Sequence, residues 1–241
     1  DDKEVTTKIG LEWRPNDQLL VRTSLSEGFR TPSITRMFQP RSNSAESYSD
    51  PCENYGSNPS ASATLKANCA ADGLAGDFSP LTDQAGAWVG GNPDLGPEKS
   101  ESLSIGVVYS PNFIEGFSVT LDYYDLEITD VIGSLGMGTI ATECYNSENF
   151  SSPMCDQIKG PAAYGEQGGP RRNGLGNLSG VDLSTQNLGF FNASGIDFNF
   201  NYKMDIAAGN LDFNLEGTRA LKLDHLEAEG LETTELAGYF G

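Results

Sequence analysis

The chain has 241 residues, with 34 acidic against 15 basic side chains, a formal charge of −19 and a single histidine. A nucleic-acid face needs clustered Lys and Arg, so that partner class is excluded, and the acidity fits solvated loops, divalent-cation association or a preference for neutral or cationic ligands. The length admits one large all-β domain or two ordinary ones, and no apolar run is long enough for a membrane helix, which leaves strands free to span a membrane.

Alternation starts almost at once. Over residues 5–14, Val5, Thr7, Ile9, Leu11 and Trp13 alternate with polar neighbours, and Pro15-Asn16-Asp17 predicts a tight turn. A second strand follows, with Leu19, Val21, Thr23 and Leu25 on one face. Residues 31–98 form a long excursion rich in Ser, Asn, Pro and Gly, with a short helix expected over 61–71. A connection of that length is usually functional or disordered, and its cysteines favour order. The excursion ends at "GNPDLGPEKSES", where prolines and glycines give way to a strand with Leu103, Ile105, Val107 and Tyr109 on one face.

After a turn near 111–116 comes a strand with Phe117, Val119, Leu121 and Tyr123 aligned. The apolar parity then moves to Tyr124, Leu126 and Ile128, which reads either as a bulge or as the end of a membrane-facing band. A second excursion covers residues 129–188 and includes the basic, glycine-rich "GEQGGPRRNGLGNLSG". Ile196, Phe198, Phe200, Tyr202 and Met204 then alternate with Asp197, Asn199, Asn201, Lys203 and Asp205, the sharpest amphipathic strand in the chain. A turn at 207–210 returns it through Leu211, Phe213 and Leu215, and a third acidic loop is expected beyond Leu223.

Four cysteines fall as two local pairs, Cys52 with Cys69 and Cys144 with Cys155, each within one excursion. Neither pair has C-x-x-C spacing, and one histidine cannot complete a Cys/His zinc site. Two disulfides in an oxidising compartment are the reading, and of three connectivities the local one is chosen because each pair shares a loop. No catalytic set is legible: His225 reads as an exposed loop histidine, and no nucleophile elbow, P-loop or dinucleotide fingerprint is present. Acid pairs such as Asp122/Asp125 or Asp1/Asp2 read as coincidence in so acidic a chain. No cofactor, metal site or enzyme activity is expected, and no spaced acidic loop indicates calcium. Trp88, Tyr48, Tyr145, Arg171 and Arg172 lie in the excursions and are the candidate ligand contacts, by stacking and by pairing with ligand oxygens. The plainer reading of these aromatics is that they form the loops' own small cores.

Three hairpins with short turns, alternating with long excursions, put every long connection at one end, as in outer-membrane barrels. Trp13, Tyr109, Tyr123, Tyr124 and Tyr202 are candidates for interfacial girdles. "SEGFRTP", "GNPDLGPEKSESLSIGVVYSP", "GFSVTLDYYDLEITDVI" and "NASGIDFNFNY", in this order and spacing, resemble the barrel of TonB-dependent outer-membrane receptors. The resemblance implies an all-β fold, an antiparallel transmembrane β-barrel segment of about six strands with short periplasmic turns. Residues 31–98 and 129–188 would then be disulfide-braced extracellular loops within one barrel domain spanning 1–241. It further implies a bacterial outer-membrane transporter for a small-molecule or oligomeric nutrient, contacting outer-membrane lipid and energised by the inner-membrane TonB protein through an N-terminal part. Neither a plug nor a coupling segment is legible here, and the opening "DDKEVTTKIG" reads as a piece of a longer protein. Two alternatives are a soluble secreted β-sandwich adhesin or lectin, and a carbohydrate-active enzyme with two convergent carboxylates.

Overall fold

The computed structural model describes residues 4–158, 170–226, 228 and 231–238. Asp1 and Asp2 and the start of the glycine-rich basic stretch lie outside them. In chain order the strands are β1 (Lys8–Asn16), β2 (Leu19–Arg30), β3 (Ser42–Ser47), β4 (Gln84–Val89), β5 (Glu98–Tyr109), β6 (Phe117–Thr129), β7 (Ile132–Gly133), β8 (Val181–Asp182), β9 (Gln186–Asn187), β10 (Phe190–Ile206), β11 (Gly209–Leu226) and β12 (Thr234–Glu235). The helices are α1 (Ile34–Phe38), α2 (Ala63–Ala71) and α3 (Met137–Asn146). The chain divides into two compact units, Asp1–Thr31 with Gly96–Val131 and Asn187–Gly241, and Pro32–Leu95 with Ile132–Gln186.

The first unit is a seven-stranded antiparallel sheet in the order β1-β2-β5-β6-β10-β11-β12, an open section of barrel wall. Its hairpins turn tightly where the sequence predicts, with Asn16 opposite Leu19 and Ile206 opposite Gly209. At the far ends, Lys99 pairs with Thr129 and Thr129 with Phe190, so both long excursions leave the same edge of the sheet. Strands β10 and β11 have 17 and 18 residues. At ~3.4 Å per residue and a tilt near 45°, that is roughly 40 Å of rise, more than the ~25 Å apolar band a membrane requires.

The two faces differ sharply. Leu11, Thr23, Ile105, Tyr123 and Ile196 share one cross-strand row, and Trp13, Val21, Val107, Leu121 and Phe198 share the next. This face is bare: Ile9 and Leu11 are each 66% exposed and Trp13 60%. A soluble sandwich would bury it against a second sheet, whereas a lipid-facing wall leaves it open. The opposite face carries Arg22, Gly106 and Asp122 in one row. Arg22 donates to both oxygens of Asp122, at 2.9 and 2.8 Å, across the intervening glycine. A Cβ on Gly106 would collide with the Asp122 carboxylate and lie 2.9 Å from the Arg22 guanidinium, so a side chain there is incompatible with the pair.

Register settles the parity change in β6. Pairing runs unbroken from Phe117 to Thr129 against β10, so there is no bulge in this strand, and Tyr124, Leu126 and Ile128 point inward. Tyr124 is therefore an inner-face residue, not part of an outer girdle, and its hydroxyl fills the space beside Gly195. The outer face changes at the same height. Glu27, Glu101, Glu127, Asn192, Asp224 and Glu235 form one row across six strands, on the face that lower down is apolar. Like charges side by side are tolerable only in water, so this row marks the end of the lipid-facing band. Register shifts between β10 and β11 at Ser194/Gly195, and in β1 between Trp13 and Asn16 beside the short turn.

The second unit gathers both excursions. β3 and β4 form an antiparallel pair from the first, and β8 of the second adds alongside β4 in parallel, with Val181 opposite Ala87. The predicted helix is α2, whose Ser62 cap accepts from the Leu65 amide at 3.0 Å. Helix α3 was not foreseen in the second excursion. It buries Met137, Ile140, Ala141, Cys144 and Tyr145, a spacing that puts all five on one helical face. The disulfides join Cys52 to Cys69 and Cys144 to Cys155. The "GNPDLGPE" junction works by close approach: the Gly91 amide donates to Gln39, and a Cβ there would lie 2.7 Å from the backbone of Met37 at the end of α1.

Candidate functional site

Two places concentrate polar chemistry, one in each unit. In the loop unit the centre is Tyr145, fully buried on α3. Its hydroxyl donates to Asp72 at 2.6 Å and accepts from Arg172 Nε at 2.7 Å. The remaining Arg172 nitrogens bind both oxygens of Asp50, at 2.7 and 2.9 Å, and the carbonyl of Gly176. Asp50 also accepts from the Tyr48 hydroxyl and from the Cys52 amide. Arg171 pairs with Asp72 through two nitrogens and lies 3.6 Å over the Phe150 ring. The bonds to Asp72 and the Arg172 bonds to Asp50 cross from one excursion to the other, by 73 to 122 residues, whereas Arg172 and Tyr145, 27 residues apart, join within the second.

Burial dominates the electrostatics here. It pushes the Tyr145 phenol well above its ordinary value; the Arg172 charge opposes this and Asp72 reinforces it. Tyr48 is raised in the same way, by burial first and then by the Asp50 charge. Burial pulls Arg172 down, but its bonds to Asp50 and its contact with Tyr145 outweigh that and hold it above its usual range. Asp182 is lowered: burial opposes the shift, while hydrogen bonds from Ser184 and the charge of Arg41 more than offset it.

The expected ligand contacts are therefore divided. Tyr48, Tyr145 and Arg172 are brought together, but inside the core; the Arg172 side chain is 3% exposed. Each is bonded to partners of its own chain. They are the loops' own core. Trp88 lies on β4, half-buried, beside Asp182 in the parallel ladder, and Arg171 keeps 31% of its side chain exposed. Sequence reasoning missed Asp50 and Asp72, the counter-charges that hold the arginines. Nothing in a chain with 34 acids distinguishes those two.

The second place is the inner face of the sheet beyond the carboxylate row. Gly28, Ser100, Ile128, Phe191 and His225 share one cross-strand row there. They line a cavity of about 460 Å³ together with Arg30 and Glu98, whose side chains form a two-bonded ion pair. The ring of Phe191 lies 6.5 Å from that of His225. His225 is thus not an exposed loop residue; β11 continues through it to Leu226. The sequence signal for this site was the parity change at Tyr124, Leu126 and Ile128. Among the described residues no group of three or more His, Cys, Asp or Glu is placed to hold a metal ion.

The chain edge at Gly96 is held by Asn187. Its amide oxygen accepts from the Gly96 amide at 2.9 Å, and its nitrogen donates to the carbonyls of Gly96 and Asp130 at 3.0 and 2.8 Å. One side chain thus pins the return of the first excursion beside the exit of the second.

Comparison with known proteins follows the same lines. No curated protein matches the sequence. Among solved structures, a variant of the ferric enterobactin receptor PfeA of Pseudomonas aeruginosa superposes with a TM-score of 0.50 at 12% identity, over 90% of this chain and 22% of that one. The siderophore receptor PirA of Acinetobacter baumannii gives 0.49 at 11%, over 92% and 24%. The Serratia marcescens hemophore receptor HasR, with its hemophore HasA and heme, gives 0.47 at 12%, over 91% and 23%. At these identities the likeness concerns the fold alone, and the chain spans about a quarter of each receptor. The sequence itself matches the family described as TonB dependent receptor-like, beta-barrel, over residues 1–230, and the chain belongs to that family.

Proposed function

We propose that this chain is the ligand-capturing section of a bacterial outer-membrane receptor that imports a scarce nutrient, with energy supplied by an inner-membrane TonB partner. The observation that carries the reading is the division of labour in the wall. Six long strands present a bare apolar face over a membrane-sized height, and both excursions leave from one edge and fold together. In this reading residues 31–98 and 129–188 face the exterior, the short turns face the periplasm, and the bare face meets lipid. The receptors named above bind ferric enterobactin, other siderophores or heme, which supports a small-molecule ligand for this chain as well. Trp88 and Arg171, which keep exposed surface, are the contacts proposed for it in the loop unit. Asp122, an acid of the hydrolase alternative, is held by Arg22.

Single cysteines decide the topology. Among the described residues no cysteine is free, so an added thiol reports alone. Ser60→Cys lies in the first excursion and Asn210→Cys at a short turn, both exposed. In cells expressing the full-length parent, an impermeant maleimide labels Ser60→Cys, and labels Asn210→Cys only after permeabilisation. Equal labelling of both, with protein released without detergent, overturns the receptor reading and restores the soluble adhesin.

A further inference from the structure

We propose that Asn173 is a site of spontaneous deamidation: the main-chain nitrogen of Gly174 attacks the Asn173 side chain, and the isoaspartate that results loosens the charged core of the loop unit. The chemistry is independent of transport and does not rest on the receptor reading.

Asn173-Gly174 is the one Asn-Gly pair in the sequence, set within the basic, glycine-rich stretch. A glycine leaves its own nitrogen open to approach, because no Cβ stands beside it. Here Asn173, Gly174 and Leu175 are all exposed, and a Cβ built on Gly174 would meet nothing within 4 Å. Among the described residues the Gly174 amide has no hydrogen-bond acceptor, so its proton is open to water and base.

The electrophile is held beside this nitrogen. The Asn173 Oδ1 accepts from the Leu175 amide at 2.9 Å and from the Asn177 amide at 3.2 Å. The first bond closes a ring that contains the Gly174 nitrogen, so the Asn173 side chain is folded over its own peptide. Both amides point at the oxygen on which charge develops when Cγ is attacked, as in an oxyanion hole, and the reaction is intramolecular. Base takes the Gly174 amide proton, the nitrogen bonds to Cγ, and the Cγ–Nδ2 bond breaks with Nδ2 leaving as ammonia. Water then opens the cyclic imide. Cleavage of the bond from the nitrogen to Cγ gives aspartate, and cleavage of the bond to the main-chain carbonyl carbon gives isoaspartate. One water enters and one ammonia leaves, with no oxidant or reductant.

Isoaspartate routes the main chain through the β-carbon and lengthens it within a closed clasp. The Asn173 amide donates to the Asn177 carbonyl, and the Gly176 amide to the Asn173 carbonyl, each at 2.9 Å. The Gly176 carbonyl accepts from Arg172 at 2.7 Å, one of the bonds that hold that buried guanidinium against Asp50 and Tyr145. A Cβ on Gly176 would lie 2.6 Å from the Phe78 ring, so the clasp has no slack on that side. A longer main chain therefore draws the Gly176 carbonyl away from Arg172. Aspartate does not, since it keeps the chain length and an oxygen for the two amides.

The test keeps the full-length parent at mildly alkaline pH, folded or in guanidinium chloride, and follows its peptides by mass spectrometry, with isoaspartate identified by fragmentation and by enzymatic methylation. The Asn173 peptide should gain the mass of amide-to-acid exchange, faster in the folded protein, while the exposed Asn210, followed by Leu211, stays unchanged over the same time. Gly174→Ala, which the open space accommodates, should slow conversion by about tenfold because the methyl shields the nitrogen. Conversion no faster in the folded protein than in denaturant overturns the claim that the turn primes the site. Native-state hydrogen exchange reads the consequence: amides of α3 should lose protection in the isoaspartate fraction and keep it in Asn173→Asp. Equal protection in the isoaspartate, Asn173→Asp and unmodified forms overturns the link to the charged core.

Discussion

Arg172→Met is the most informative single change in the loop unit. The wild-type side chain is 3% exposed, and it makes two bonds to Asp50, one to the Tyr145 hydroxyl and one to the Gly176 carbonyl. Methionine keeps most of the volume but removes all four bonds and leaves Asp50, 1% exposed, as a buried carboxylate with only Tyr48 and the Cys52 amide as donors. Breaking a buried pair from one side typically costs about 3–5 kcal/mol, mostly the uncompensated charge. At ~1.4 kcal/mol per tenfold, this is a loss of about two to three and a half orders of magnitude in opening equilibrium. Native-state hydrogen exchange on the full-length receptor measures it directly. Amides of β3, α2 and α3 should lose protection by that factor, while those of β5, β6 and β10 stay within about threefold, because local units open independently. Adding Asp50→Asn to Arg172→Met should recover a large part of the loss by removing the stranded charge. Unchanged protection in α3, or equal loss in the sheet, would refute the claim that this network specifically holds the loop unit.

Other outcomes follow from neighbouring features. Replacing Cys52 and Cys69 by serine opens a closure of 17 residues and should destabilise the loop unit by about 3 kcal/mol in the chain-entropy model, seen as faster limited proteolysis within residues 42–89. Gly106→Ala forces Arg22 and Asp122 apart; overpacking of this kind costs ~1–3 kcal/mol, and an unchanged Tm in detergent would show that the pair re-forms elsewhere. The phenols of Tyr48 and Tyr145 are raised by burial, so the stability they contribute is complete below the unfolded value of about 10 and is lost only as pH rises through the higher folded value. Tyr145→Phe should therefore leave the tyrosinate absorbance unchanged up to about pH 11 in the folded receptor, and lower it by one equivalent after unfolding. Asn187→Ala removes three hydrogen bonds of 2.8 to 3.0 Å, and exchange at Gly96 should quicken while the middle of β5 stays protected.

The wall was largely legible in the sequence, because a strand's side-chain period is two and one face meets lipid. Ile196, Phe198 and Phe200 announce both the strand and its outer face without any knowledge of partners. The same period showed that the pattern changes at Tyr124, but a bulge and an end of the apolar band look identical along one strand. Only the unbroken ladder from Tyr123 opposite Ile196 to Thr129 opposite Phe190 separates them. Helix α3 was hidden for a different reason. Its apolar face uses Cys144 and Tyr145 beside Gly138 and two threonines, a weak helical composition that only its packing in the loop unit sustains.

The loop unit also shows why two local disulfides are not enough. Each bridge, Cys52–Cys69 and Cys144–Cys155, lowers the entropy of its own excursion and says nothing about how one excursion meets the other. Joining them requires bonds between residues far apart in the chain, and those bonds are directional: Asp50 and Asp72 from the first, Arg171, Arg172 and Tyr145 from the second. Apolar packing alone would tolerate sliding by a turn of α3. A bidentate arginine on a buried carboxylate does not, because a shift of one position leaves both charges unpaired. The charged core thus fixes the register between the excursions, and side chains carried on them, Trp88 on one and Arg171 on the other, inherit a defined geometry within that unit. Such a geometry matters for recognition because a preordered surface does not lose the ordering entropy again when it binds.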